Sequence, residues 1–229
     1  MIHDKKEFGL GLALLIAFFL VLAVLFMPLW PGGKNTIDYL DNVFNSISKK
    51  SAYYIPDLAE SAGKHAGGSV RLAIDAASAP QAERMARLLG QGGAAVARQE
   101  TQLTVDADPG RLLGQALADA DLMFANDGAA VTAKYGVEGR QALYDWHRIL
   151  SAAAQDLDRQ GRYAESKTVR DVMTKGIEPA YNYYGIEAIP IMDLFWVVLA
   201  ALVGYVVYTV WYGYAILFLF EGIGLRLEH

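Results

Sequence analysis

Residue types that commonly carry out chemistry are sparse in this chain. It contains no cysteine and four histidines, and only His65 and His147 lie between its two long apolar stretches. Asp145 and His147 are two positions apart, so on a helix they do not face each other as an i, i+4 ligand pair would. The lack of cysteine excludes disulfides and thiolate ligands and leaves the redox compartment open. We therefore predict no metal site and no bound cofactor.

The remaining polar motifs indicate structure rather than catalysis. The glycine-rich stretch at 90–93 follows a predicted helix and lacks the lysine and serine or threonine of a phosphate-binding loop. No serine stands in a Gly-x-Ser-x-Gly context. An acidic set is interpreted as helix caps and solvated faces, with a calcium or catalytic carboxylate cluster as the alternative: Asp106, Asp108, Asp119, Asp121 and Asp127. We predict no catalytic residues and no enzyme activity, and keep an envelope enzyme or small-ligand sensor as a third alternative.

The most distinctive polar groups lie inside an uncharged stretch at 194–220. On a helix, where successive residues turn by about 100°, its hydroxyl groups form a stripe along one face. A hydroxyl in hydrocarbon costs free energy unless it is hydrogen-bonded, so the stripe should meet another helix, a water-filled lumen or a polar ligand. Packing against residues 9–30 and bonds to the preceding helical turn are the structural alternatives. The predicted stripe consists of Tyr205, Tyr208, Thr209 and Tyr212.

Small and acidic residues accompany the stripe. Ala200 and Gly204 form a small-xxx-small pair that permits close helix approach, and Gly213 adds another notch. Asp193 and Glu221 stand at the two ends of the stretch. Each either marks a helix end or, if subunits surround a pore, contributes a ring of carboxylates at its mouth. Together these features favour protein contacts on more than one side, hence a homo-oligomer or other membrane subunits as partners.

Two apolar segments must position these residues. The first, 9–30, is uncharged over 22 residues, which corresponds to about 33 Å of helix and to one membrane span. It exceeds the apolar run of about 7–15 residues that is typical of a signal peptide, so we predict an uncleaved anchor. The second span is predicted at 191–220, followed by a short tail at 221–229. The last three residues, 227–229, resemble a cloning remnant and are excluded from functional argument.

The segment between the spans, 31–190, is domain-sized and holds 17 of the 20 basic and 20 of the 25 acidic residues. Its patterns predict membrane-proximal helices at 36–66, an α/β unit at 69–126 and a helical part at 127–185. Within the α/β unit, period-two alternation predicts strands, with one long strand or a hairpin bent near Gln99. The fold class is thus a membrane protein with two transmembrane α-helices flanking an α+β, helix-rich domain.

Two tyrosines follow the first membrane-proximal helix. Tyr53 and Tyr54 precede Pro56, which disfavours helix at the residue before it. We expect these two aromatic side chains in the core of the domain, with a position at the membrane interface as the alternative.

Charge predicts the orientation of the chain and excludes one class of partner. Lys5, Lys6 and Arg226 favour cytoplasmic termini, with 1–8 as an N-terminal tail, and so an extracytoplasmic domain of a bacterial-type inner membrane protein. The domain has a net charge of −3 and no basic run, so no nucleic-acid partner is expected. We predict an assembly or accessory protein in contact with membrane lipid. A homo-oligomeric ion channel lined by the second span is the alternative.

Overall fold

The computed structural model describes residues 2–225, which form two compact units: 2–47 together with 188–225, and 48–187. The chain is mostly helical and carries one three-stranded sheet. In chain order the elements are α1 (Lys5–Leu25), α2 (Thr36–Ser51), α3 (Ile55–Gly63), β1 (Val70–Asp75), α4 (Ala79–Gln91), β2 (Ala95–Gln99), β3 (Gln102–Ala107), α5 (Pro109–Phe124), α6 (Gly128–Tyr135), α7 (Gly139–Arg159), α8 (Tyr163–Val172), α9 (Glu178–Asn182) and α10 (Phe195–Gly222). The segment 227–229 and Arg226 lie outside the described residues.

In the first unit, α1 and α10 pack against each other as an antiparallel hairpin. Asp4 caps α1 by accepting hydrogen bonds from the backbone N–H groups of Lys6 and Glu7, so the helix begins before the apolar stretch does. A 3₁₀ turn at Ile191–Leu194 precedes α10. Both helices are long and apolar enough to cross a membrane, which agrees with a membrane location.

The sheet of the second unit has the order β1-β3-β2, and both pairings are antiparallel. Glu100 has a φ of 53°, in the left-handed region, at the turn between β2 and β3. The alternation around Gln99 therefore forms a hairpin rather than one long strand. Side chains alternate strictly in β1 and β3, with one face buried and the other exposed.

Helices cover the sheet and one of its edges. Helix α4, capped by Ser78, packs against β2 and β3, and α7 packs against β1. On α7, the Asp156 carboxylate accepts a hydrogen bond from the Ala73 N–H at 2.9 Å, and the Gln160 amide donates to the Arg71 carbonyl at 2.8 Å. These side chains satisfy the free edge of β1, which lowers its tendency to pair with another chain.

The helical part wraps around α7, whose apolar positions recur at helical spacing. Trp146, Ile149 and Leu150 on this helix are fully buried and join one continuous core with the sheet and α5. The prediction of a helix-rich chain with a small sheet is therefore confirmed. At the edge of this core, the expectation for Tyr53 and Tyr54 is wrong: they are 44% and 48% exposed, and the Tyr53 hydroxyl instead donates to Asp121 at 2.8 Å.

Candidate functional site

The inner face of α10 places part of the predicted hydroxyl stripe against α1. The Tyr208 hydroxyl donates to the Phe18 carbonyl at 3.3 Å, and the two rings stack with centroids 4.1 Å apart. The Tyr212 ring also lies against Phe18, at 5.0 Å. A helical carbonyl can accept this second bond because its oxygen has two lone pairs. Two members of the stripe are thus used within the chain.

Trp211 performs the same role one turn further along and was not among the predicted residues. Its indole N–H donates to the Leu14 carbonyl at 3.1 Å. Tyr208 and Trp211 are three positions apart, which puts them on one face of the helix. The spacing was visible in the sequence, but the face that meets α1 was not, because the whole stretch is apolar.

Close packing between α1 and α10 occurs at small residues other than those predicted. A Cβ added to Gly11 would lie 2.6 Å from the Leu219 backbone nitrogen, and one added to Gly222 would lie 2.5 Å from that of Phe8. Ala215 is fully buried in the same contact. In contrast, a Cβ on Gly204 or Gly213 would meet nothing within 4 Å, and Ala200 is exposed. Within residues 2–225, neither of the two predicted glycine notches has a packing partner.

The outward face of α10 carries the rest of the stripe. Tyr205, Thr209 and Gly213 are four residues apart, so they form a continuous row, here called the outer row. Tyr205 is 69% exposed, and its hydroxyl has no hydrogen-bond partner within residues 2–225. The Thr209 hydroxyl donates to the Tyr205 carbonyl at 2.8 Å and is satisfied by its own helix. The outer row therefore combines one unsatisfied hydroxyl with two small residues.

The predicted acidic residues lie at opposite ends of α10. Asp193 is exposed in the 3₁₀ turn before the helix, and Glu221 is half-buried in its last turn. Glu7, in the first turn of α1, lies at the same end of the hairpin as Glu221. Its Oε2 atom is buried without a hydrogen-bond partner among the described residues. The sequence prediction missed Glu7, although a lone carboxylate next to an apolar run could have marked it.

Two carboxylates in the second unit are fully buried. Asp119 was assigned to a cap or solvated face, and this interpretation is wrong: it accepts hydrogen bonds from the indole of Trp146 at 2.8 Å and from the hydroxyl of Tyr135. Lys134 and Gln115 donate to it at 2.8 and 3.0 Å. Burial, together with the neighbouring Asp119 carboxylate, raises the pKa of Tyr135. Because its acceptor sites are occupied, this carboxylate is a structural centre of the core.

Asp145 is satisfied in the same way. The guanidinium of Arg84 donates to it at 2.6 Å, the amide of Gln81 at 3.1 Å and the amide of Gln141 at 3.3 Å. The hydrogen bond and the charge of Asp145 raise the pKa of Arg84. This pair joins α4 to α7, so it fixes a helix contact rather than presenting a reactive group.

A shallow apolar recess lies beside a contact between a histidine and a glutamate. His147 Nε2 is 3.1 Å from the Glu178 carboxylate, at the junction of α7 with a π-helical turn at Met173–Ile177. The floor is formed by buried Leu143 and Ile177, with exposed tyrosines at the rim. No nucleophile with an adjacent base is present in this lining, so the recess suits binding of an apolar group better than catalysis.

No family model, no curated protein and no solved structure matches the chain. The candidate sites therefore stand on the geometry described above.

Proposed function

We propose that this chain is a two-span membrane protein that acts as an assembly or accessory module, and that the outer row of α10 binds a transmembrane helix of another subunit. Helices α1 and α10 would cross the membrane. Residues 48–187 would form an extracytoplasmic domain, with both termini in the cytoplasm of a bacterial-type cell. Lys5 and Lys6, in the first turn of α1, support this orientation through the positive-inside rule.

The observation that carries the proposal is the Tyr205 hydroxyl, which has no hydrogen-bond partner among the described residues and lies on a helix long enough to span a membrane. In hydrocarbon, an unsatisfied hydroxyl costs roughly 1–3 kcal/mol, which a partner helix would remove by accepting its hydrogen bond. Thr209 and Gly213 form a small-xxx-small pair on the same row, with open space above the glycine. Small residues in this arrangement let a second helix approach closely. The partner is either another copy of this chain or a different membrane subunit.

The lack of cysteine allows a direct crosslinking test, because one introduced cysteine is the only thiol. Leu202 and Val207 are both exposed and lie about 140° apart around the helix, with Leu202 on the side of the outer row. A thiol-linked benzophenone at Leu202→Cys should capture a partner in native membranes, whereas the same probe at Val207→Cys should capture mainly lipid. The mass of the product separates a second copy from a different subunit.

Two substitutions at Gly213, in the outer row, form a matched pair of test and control variants. Gly213→Leu fills the open space and should reduce the crosslink from position 202 roughly tenfold, while Gly213→Ala keeps a small residue and should retain it. Equal crosslinking from positions 202 and 207, or a yield that Gly213→Leu leaves unchanged, would contradict the proposal.

The channel alternative has less support. Tyr208 and Tyr212 face α1 in the hairpin, which leaves only Tyr205 and Thr209 of the stripe to line a lumen. Glu221 with Glu7 at one end of the hairpin is the remaining feature in its favour. Ion flux in liposomes that is lost in Glu221→Gln would raise the channel above the assembly role.

A further inference from the structure

Lys49, near the end of α2, is a buried cation. Its side chain is only 2% exposed, which is rare for lysine unless it is paired with an acid. Within residues 2–225 it forms no ion pair. Its ammonium lies 5.1 Å from the centre of the Phe124 ring, and burial lowers its pKa.

Three neutral oxygens replace water around this ammonium. Lys49 Nζ donates to the Ile186 carbonyl at 2.6 Å, to the Asn126 side-chain oxygen at 2.9 Å and to the Tyr183 carbonyl at 3.1 Å. An ammonium has three N–H donors, so its hydrogen bonds are complete. Two of its partners belong to one short segment, residues 183–186, here called the strap. The strap follows α9 and leads along the chain toward α10.

Asn126 completes the attachment of the strap. Its side-chain oxygen also accepts from the Gly185 N–H at 2.8 Å, and its amide donates to the Ile186 carbonyl at 3.0 Å. Asn126 has a φ of 64°, a left-handed conformation that asparagine tolerates better than most residues. Three side chains that are far from the strap in the sequence thus hold it: Lys49, Asn126 and Arg140, whose guanidinium donates to the Tyr184 carbonyl at 3.3 Å.

The strap is held by these polar contacts and by partial packing of its two tyrosines. None of its four residues is fully buried, although Tyr183 and Tyr184 are half-buried against the core. Neutral acceptors repay the desolvation of a cation only in part, so releasing Lys49 to water recovers much of what the lost hydrogen bonds cost. Segments with few buried apolar contacts open at lower free energy than the core that carries them.

We propose that Lys49 and Asn126 form a releasable latch on the strap, so that the chain between α9 and α10 detaches from the domain while the domain remains folded. When the latch opens, the segment that leads from the domain toward α10 changes its conformation, and the core around α5 and α7 does not. It is independent of the outer row, so neither proposal depends on the other.

Hydrogen exchange of the full-length protein in detergent tests the latch. The amides of Tyr183, Gly185 and Ile186 are hydrogen-bonded in the closed strap. In the wild type they should be protected, yet exchange faster than the amides of α7, because the strap opens without global unfolding. Strap amides that are unprotected, or that exchange only at the rate of α7, would overturn the proposal.

Variants assign the effect to the latch residues. Lys49→Met retains an apolar stem without the ammonium, and Asn126→Gly removes the side chain while tolerating the left-handed backbone. Both should accelerate exchange in the strap at least about tenfold and leave α7 unchanged. Lys175→Met, at a lysine paired with Asp171, should leave both regions unchanged. Strap exchange unaffected by both latch variants, or accelerated together with α7, would also overturn the proposal; Asn126→Gly keeps the test valid if Lys49→Met does not fold.

Discussion

At the scale of single residues, the buried polar groups of the domain are structural connections. The Asp119 carboxylate accepts hydrogen bonds from side chains on α5, α6 and α7. Each polar donor that is buried in the core needs such an acceptor. Neither its burial nor its partners follow from the local sequence, in which it resembles its exposed neighbour Asp121. Only the packing of three helices distinguishes the two.

The raised pKa of Tyr135 predicts a dependence of stability on alkaline pH. The folded protein holds the phenol proton more tightly than the unfolded chain does, so the stabilisation is complete below about pH 10 and is lost as pH rises further. One such proton changes the free energy of unfolding by up to about 1.4 kcal/mol per pH unit. Urea denaturation between pH 9 and 11, roughly the range around the ordinary tyrosine pKa, measures this slope.

Tyr135→Phe should flatten that slope, since it removes the titrating group. Tyr163→Phe is the matched control, because Tyr163 is exposed, and it should keep the wild-type slope. Lys49 acts in the opposite direction: between its lowered pKa in the folded protein and the ordinary lysine pKa of about 10.4, the unfolded chain binds more protons, so stability rises with pH. An identical slope in wild type and Tyr135→Phe would show that Tyr135 does not carry the dependence.

At the scale of elements, two glycines on α1 differ only in what lies beside them. A Cβ on Gly11 would collide with the backbone of α10, whereas one on Gly9 would meet nothing within 4 Å. Both glycines lie in the same apolar run, so hydropathy does not separate them. Their contrast depends on the rotation of α1 relative to α10.

Gly11→Leu should therefore force the hairpin apart, and Gly9→Leu should leave it intact. Spin labels on cysteines introduced at exposed Ile16 and Val210 report the separation of the helices by pulsed electron resonance. The Gly11→Leu distance distribution should broaden and shift to longer values. A distribution that both substitutions change alike would contradict the close approach at Gly11.

At the scale of the whole molecule, the apolar hairpin and the domain are separate compact units. The domain holds one continuous core that includes the sheet, α5 and α7. A unit of this size with its own core is expected to fold alone. The boundary between the two units, at residue 48, lies within α2. Lys49 and the rest of the latch therefore belong to the domain unit.

A fragment of residues 48–187 should therefore be soluble and unfold cooperatively. Circular dichroism during urea denaturation should show one transition for the fragment, as is usual for single domains of this size. Trp146→Ala is the matched destabilised variant, and it should lose about 3–5 kcal/mol because it empties a fully buried site and removes one of the four donors to Asp119. Gradual, non-cooperative unfolding of the wild-type fragment would contradict an independent core.

Local sequence patterns accounted for a definite part of the fold and of the candidate site. The strand β1, the capped helix α4 and the long helix α7 follow from alternation, from Ser78 and from helical spacing. The hydroxyl stripe was predicted on α10, and two of its residues, Tyr205 and Thr209, belong to the outer row. Trp211 and Gly11 were missed because their roles depend on a neighbouring helix that the local pattern does not contain.

The sequence by itself determined that two helices are long and apolar enough to span a membrane and that a small sheet lies in a helix-rich domain between them. These properties are local, since hydropathy and periodicity act over a few turns or strands. Only the tertiary structure decided which side of α10 faces α1, placing Tyr208 inside and Tyr205 outside. A helix that is apolar all round has no preferred face of its own, so its rotation is set by the side chains and close backbone contacts of its partner.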